Sequence, residues 1–220
     1  MPLMLEHKGF FITFEGPDGS GKSSQINPLA SWVRQRGFNV LTTREPGGTD
    51  IGEQIRAVIH DLRNIKMKPE AELLLFQAAR RQLVEEVILP HLANGGIAIS
   101  DRYADSTIAY QGYGRGIDLA KLRPIIQFAT KGLVPDLTIL LNLDPESGLG
   151  RRSKSDEWTR LDAESLEFHN KVSAGYMKMA NEDPQRWMVV EAGRGIEVIQ
   201  AEIQSIVFNR LQAVSLLGML

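Results

Sequence analysis

The chain has 220 residues, of which 43% are hydrophobic and 24% charged, with a formal net charge of −2 at pH 7 and no cysteine. That length supports one sizeable core, and a charge this close to neutral excludes a global attraction for nucleic acid or acidic membranes. The lack of cysteine excludes disulfides and thiolate metal centres.

No apolar run approaches membrane-spanning length, and residues 1–8 lack the basic-then-apolar layout of a signal peptide. The expectation is a cytoplasmic protein without nucleic-acid or membrane partners. It is read as one domain over 1–220, since no repeat, low-complexity tract or linker interrupts it.

Residues 9–14 form a short aromatic and β-branched run bounded by glycines, which predicts a buried strand. A glycine-rich loop follows. A helical pattern then runs through Ile26, Leu29, Ala30 and Val33 and closes at Gly37. Pro28 removes a backbone donor inside it, so a kink or loosened turn is expected there. Residues 38–43 read as a second strand, and 51–63 and 69–93 as helices. In the longer helix Leu73, Phe76, Ala79, Leu83 and Val87 recur at helical spacing.

Residues 96–100 are a third strand, 119–131 a helix with an internal Pro124, and 137–143 a fourth strand. Residues 151–160 are charged and mobile in character; 161–181 is a helix, 187–191 a short strand and 196–211 a last helix. Strands that are apolar throughout and alternate with helices define an α/β fold, a central parallel sheet flanked by helices. Such sheets bind ligands beyond the carboxyl ends of their strands, and the motifs fall there.

Gly16, Pro17, Asp18, Gly19, Ser20, Gly21, Lys22 and Ser23 fit G-x-x-x-x-G-K-[ST], and Ser24 follows. Glycines let successive backbone N–H groups turn toward phosphate oxygens, and the next helix presents its positive end to the same anion. Lys22 supplies a mobile charge for the β- and γ-phosphates, and Ser23 a hydroxyl for Mg²⁺. The loop names no reaction, because many ATPases, GTPases and kinases share it.

Asp101 and Arg102 end the third strand. They read either as a strand-end salt bridge or as an acid for Mg²⁺, in part through water, beside a guanidinium fork for a second phosphate. Thr43-Arg-Glu45-Pro-Gly-Gly-Thr49 is a sharp turn after the second strand, with Arg56 on the helix beyond it. Phe76 and Arg80 are four apart and share a helix face. There a base could stack on the ring while the guanidinium reads a carbonyl.

Taken together these motifs resemble the thymidylate kinase family, over nearly the whole chain. The most specific match is Ser100-Asp-Arg-Tyr-Ala-Asp-Ser-Thr-Ile-Ala-Tyr-Gln-Gly112, supported by the two loops above and by Pro135-Asp-Leu-Thr138. The resemblance implies the P-loop nucleoside monophosphate kinase architecture and transfer of the ATP γ-phosphoryl group to dTMP, with Mg²⁺. It further implies a place in dTTP biosynthesis and a homodimer. By resemblance, Asp18 lies near the transferred group and acceptor, and Glu45 beside the acceptor sugar and phosphate. Arg56 and Arg102 hold the monophosphate, thymine stacks on Phe76, and Arg80 reads its O4. Thr107 and Gln111 contact the base, and Tyr110 sits against the deoxyribose.

Residues 148–160 resemble the family's lid, with Arg152 and Lys154 as candidate cations; a solvated charged loop is the other reading of this segment. Some family members carry an arginine inside the phosphate loop. Here that position is Ser20, so the cation is expected from the lid, the bacterial-type arrangement. Arg194, in a glycine-rich loop, is placed by the resemblance near adenine. The competing readings are another nucleotide or nucleoside kinase on this scaffold, and a slow ATP-hydrolysing regulator.

Overall fold

The computed structural model describes residues 7–154 and 158–214. Five parallel strands form one sheet in the order β2-β3-β1-β4-β5: β1 Phe10–Glu15, β2 Val40–Arg44, β3 Ile97–Asp101, β4 Leu137–Asn142 and β5 Trp187–Glu191. Every residue of β1 is buried, as expected of a central strand covered on both faces. Its side chains alternate. Phe10, Ile12 and Phe14 meet α1 (Lys22–Arg34) and α9 (Ile196–Ala213) through Leu29, Val33, Ile203 and Val207, whereas Phe11 meets Leu83, Ile88 and Leu92 on the opposite face.

Between the strands lie α2 (Asp50–His60), α3 (Pro69–Leu83), α4 (Leu89–Ala93), α5 (Ala104–Thr107), α6 (Leu119–Thr130), α7 (Pro145–Arg152) and α8 (Leu166–Glu182). The single helix expected over 69–93 contains a wide π turn, Val84–Ile88. It precedes Pro90, which has no N–H to continue the α-helical ladder. The helix expected over 51–63 stops at His60, and Asp61 caps a separate short turn, Leu62–Asn64, by accepting from Arg63 N. The helix expected from 161 begins at Leu166, because Ser165 caps it by accepting from Phe168 N. Pro28 is exposed and α1 runs past it from Lys22 to Arg34 without interruption.

Two helical segments were not expected. One is α5 with its continuing π turn, Ile108–Gly114. The other is α7, opened by Asp144 as N-cap and Pro145 in the first turn. Residues 148–152 of the lid-like segment therefore belong to a helix, while 155–157 lie outside the described residues.

α7 lies directly on the loop between β1 and α1. A Cβ added at Gly148 would collide with the carbonyl oxygen of Asp18, and one added at Gly19 with the carbonyl of Gly148. A Cβ at Gly150 would meet nothing within 4 Å. Gly148→Ala should therefore lower unfolding free energy by about 1–3 kcal/mol, the usual cost of overpacking. Gly150→Ala should raise it by about 0.5–1 kcal/mol through helix propensity. Urea titrations of the two variants check this contrast; equal effects would mean that α7 does not rest on the loop.

Candidate active site

The order β2-β3-β1 sets three strand ends side by side, and the backbone locks them together. Glu45 N donates to Asp101 O at 2.9 Å, and Arg102 N donates to Phe14 O at 2.9 Å. Beyond them opens a cavity of about 810 Å³. Residues from the loop, α2, α3, α5 and the segment 158–162 line it.

Gly16 and Gly19 have φ of 138° and 76°, conformations that side chains other than glycine rarely adopt. The loop they shape wraps around Lys22. Its ammonium donates to the carbonyls of Gly16 at 3.1 Å and Pro17 at 3.0 Å. Burial pulls the Lys22 pKa down to about 8, and the positive Arg102 adds to this against the pull of Asp101, Asp18 and Glu15.

Arg102 is held in a left-handed backbone conformation, φ 71°, at the end of β3. Its guanidinium joins two carboxylates. On one side Nη2 donates to Asp18 Oδ1 at 2.7 Å and to Tyr110 OH at 3.0 Å, while Tyr110 OH donates to Asp18 Oδ2 at 2.7 Å. On the other side Nη1 donates to Ser106 Oγ at 3.2 Å and Tyr176 OH at 3.0 Å. Those hydroxyls sit 2.6 and 2.8 Å from Glu15 Oε2, and Tyr103 N donates to Glu15 Oε1 at 2.8 Å. Burial alone would raise the Asp18 carboxyl, but Arg102, Lys22 and the Tyr110 hydroxyl hold it well below the usual carboxylate range. Glu15, buried first and then repelled by Asp105, is raised to about 7.

At the far end of the cavity stand Phe76 and Arg80 of α3, with Thr107 of α5 and Gln111 of the turn that follows. Arg80 is fully buried. Its Nε donates to Glu45 Oε2 at 2.8 Å, Nη1 to Gln77 Oε1 and Thr107 Oγ1, and Nη2 to Tyr103 O. Among the described residues, Glu45 Oε1 is buried without a hydrogen-bond partner. Burial raises the Glu45 carboxyl against the opposing charge of Arg80. Arg56 also lines the cavity and donates to Pro46 O at 2.8 Å.

Ser23 Oγ donates to Asp101 Oδ2 at 2.9 Å, and both line the cavity beside Lys22. One hydroxyl and one carboxylate are hard oxygen donors suited to Mg²⁺, which retains waters and substrate oxygens rather than requiring a full protein cage. Among the described residues no group of three or more His, Cys, Asp or Glu offers such a cage.

The lid candidates separate. Arg152 lines the cavity and is held by Asp162, with Nη2 2.9 Å from Oδ2. Lys154 is exposed and outside the lining. Arg194 lies outside it too, paired with Glu202.

Sequence reasoning missed Glu15, Ser106, Tyr176, His60 and Trp158. Ser106 lay within the strongest motif and Glu15 immediately before the loop. Tyr176 reaches Glu15 across 161 positions, so no local pattern signals it. His60, whose pKa is lowered to about 4 by burial and by Arg56, stands neutral at the cavity wall near pH 7.

A phosphate loop at the end of a parallel sheet, sharing one cavity with a second cationic compartment that ends in an aromatic ring, defines a P-loop kinase with a nucleotide-sized acceptor. The comparisons with known proteins narrow the class. The family model described as thymidylate kinase matches residues 14–203. A thymidylate kinase of Roseiflexus sp. (strain RS-1) is 49% identical, covering 93% of this chain and 96% of its own. That of Roseiflexus castenholzii is 50% identical over 90% and 92%. The crystal structure of thymidylate kinase from Ehrlichia chaffeensis matches with a TM-score of 0.76 at 32% identity, covering 90% of this chain and 98% of that one. The chain belongs to the thymidylate kinase family, whose members phosphorylate dTMP to dTDP.

The lowered Lys22 pKa has a measurable consequence. The free enzyme loses this charge as pH rises through about 8. The value of kcat/KM for ATP, which reports the free enzyme, should fall roughly tenfold per pH unit above that point. The limb in kcat should lie higher, since bound phosphates favour the ammonium. A pH–rate series measures both, and a flat kcat/KM across the alkaline range would contradict the assignment.

Proposed function

We propose that this cavity carries out the family reaction, transfer of the γ-phosphoryl group of ATP to dTMP to give dTDP and ADP, with the two nucleotides meeting at Arg102. One observation carries the reading: Arg102 stands between the loop that holds Lys22 and the compartment of Phe76, Arg80, Thr107 and Gln111, all within one cavity.

ATP lies with its phosphates on the loop amides, Lys22, Ser23 and Ser24. Ser23 and Asp101 hold Mg²⁺, which when bound neutralises phosphate charge. dTMP enters the opposite end. Its base stacks on Phe76 between Thr107, Gln111 and the Arg80 side, its sugar rests against Tyr110 and Glu45, and its phosphate faces Arg56 and Arg102. A phosphate oxygen is already nucleophilic near neutral pH, so the barrier is chiefly electrostatic. Lys22, Arg102 and the loop amides offset the repulsion of two anions and stabilise charge on the equatorial oxygens. Asp18, held well below the usual carboxylate range, orients Arg102 rather than accepting a proton.

For the lid reading of residues 148–160, Arg152 is the better placed of the two candidate cations because it lines the cavity and Lys154 does not. The same reading places the enzyme in the cytoplasm, as a homodimer. α2, α3 and α6 expose Ile51, Val58, Leu74 and Phe128, an apolar set suited to a second copy. Among the described residues no helix is long and apolar enough to cross a membrane.

Coupled ADP release with dTMP, dUMP, AMP, CMP and GMP tests the acceptor. dTMP should lead AMP, CMP and GMP by well over about a hundredfold in kcat/KM, and parity would defeat the reading. Lys22→Ala should lower kcat at least about a hundredfold while leaving dTMP affinity within about threefold. Leu74→Asp should convert the dimer to monomer in sedimentation velocity. A monomeric unaltered chain at micromolar concentration would remove the dimer from the proposal.

A further inference from the structure

Glu72 lies one helical turn before Phe76 and two before Arg80, on the same face of α3. It is only 1% exposed, yet it accepts from three side chains brought from distant parts of the chain. Its Oε1 accepts from Gln111 Nε2 at 2.8 Å and from Arg115 Nε at 3.2 Å. Its Oε2 accepts from Arg115 Nη2 at 2.9 Å and from Arg160 Nη2 at 2.6 Å.

The two arginines reach the carboxylate from different parts of the chain. Arg115 is itself held by Glu164 at 2.7 Å and lies over the Phe168 ring. Arg160 donates from Nε to Ile59 O at 3.1 Å, pinning it to the end of α2. Burial would raise the Glu72 carboxyl, but hydrogen bonds from Arg115 and Gln111 and the nearby positive charge lower it. Glu72 is therefore ionised, and an ionised carboxylate only accepts hydrogen bonds.

That settles which way the Gln111 amide points. Its NH₂ end must face Glu72, so its carbonyl oxygen is the end left to the cavity that Gln111 lines. A fixed acceptor complements a ring N–H. Thymine and uracil carry a proton on N3; cytosine presents a lone pair there, and two acceptors would oppose each other. An unrestrained amide could turn over and serve either base, so discrimination depends on what prevents the turn.

We propose that Glu72 is a positioning residue for base selection: clamped by Arg115 and Arg160, it locks the Gln111 amide with its oxygen toward the cavity. This rests on the reading of that end of the cavity as the base pocket. Glu72 touches no substrate; it acts through Gln111.

The test is the ratio of kcat/KM for dTMP to that for dCMP. Glu72→Gln presents either an oxygen or a nitrogen to Gln111 and so frees the amide to turn. The ratio should fall at least about tenfold, through a higher KM for dTMP and a gain with dCMP, while kcat for dTMP stays within about threefold. In a Gln111→Leu background the same change should leave the ratio unaltered, because the residue it acts through is gone. A merely structural role would reduce both substrates in proportion and leave the ratio intact in either background, which overturns the proposal. Glu72→Asp guards against misfolding of the uncharged variant. It keeps the charge for Arg115 and Arg160 but withdraws the carboxylate by one methylene, and it should lower the ratio too. If the unaltered chain shows no preference for dTMP over dCMP, the base-pocket reading fails along with this one. If the preference is present and survives both substitutions, only the role of Glu72 fails.

Discussion

Arg102 and Asp18 form the contact on which the rest of the site depends. The pair ties the phosphate loop to the end of β3 across 84 positions of sequence, with Nη2 2.7 Å from the carboxylate. A guanidinium in so enclosed a place is stable only if its donors and charge are met, and removing one partner of such a pair commonly costs about 3–5 kcal/mol. Here Asp18 meets it from the loop, and Glu15 meets it at one remove through Ser106 and Tyr176. The cation is thus positioned by four elements at once: the loop, β1, α5 and α8. Its charge in turn depresses the Lys22 pKa and holds Asp18 ionised.

The sheet makes this convergence possible. In a parallel sheet every strand delivers its carboxyl end to the same edge, and the crossover helices place their first turns there as well. The chain reverses from β1 to α1 at the phosphate loop, from β3 to α5 at Arg102, and from β2 to α2 at Glu45. Because β3 lies between β2 and β1, Asp101 and Arg102 are flanked by the other two ends. The motif residues read from the sequence are therefore neighbours in space for a topological reason. α7 closes the loop from the β4 side, where glycine at 19 and 148 permits backbone to meet backbone.

Much of this was legible in the sequence, since strand placement followed from apolar runs and the loop from its glycines. All five strands fell within about two residues of expectation. The helical segments that escaped notice are those with weak periodicity. α7 is eight residues long with two glycines, and α5 is a single turn that widens into a π segment. Their caps were visible, Asp144-Pro145 above all, but a cap without an apolar stripe is a faint signal. Many of the residues that line the cavity lie in motifs read from the sequence, although His60 and Trp158 line it and carry no such signal. The residues that hold them in place left less trace. Tyr176 lies on α8 with nothing in its local pattern to distinguish it from a core aromatic, and its role exists only through Glu15 and Arg102. Glu72 did leave a trace, since it continues the 76 and 80 spacing backward by one turn. An acidic residue in the first turn of a helix is ordinarily accounted for by the helix dipole, so the spacing alone does not mark Glu72.

The carboxylates of the site have been set apart by their surroundings, and the direction of each shift bears on the chemistry. Asp18, paired with Arg102 and near the charge of Lys22, is pushed far toward the ionised form. Glu45 is raised, with Arg80 as its one compensating cation. Glu15 reaches about 7 and stands behind Arg102 rather than in the cavity lining. An enzyme that needed a general base beside the transferring group would hold its nearest carboxylate near neutrality. This site does the reverse: the carboxylate beside the cations is the poorest proton acceptor of the three. That arrangement makes sense if the proton is not the difficulty. Two phosphate-bearing ligands bring several negative charges into one cavity, and cations must already stand where that charge will concentrate. A cation left unpaired there would destabilise the fold, and one paired too tightly would be unavailable to a phosphate. Sharing Arg102 among Asp18, Tyr110, Ser106 and Tyr176 meets both demands, because no single bond has to be surrendered in full for a phosphate oxygen to join.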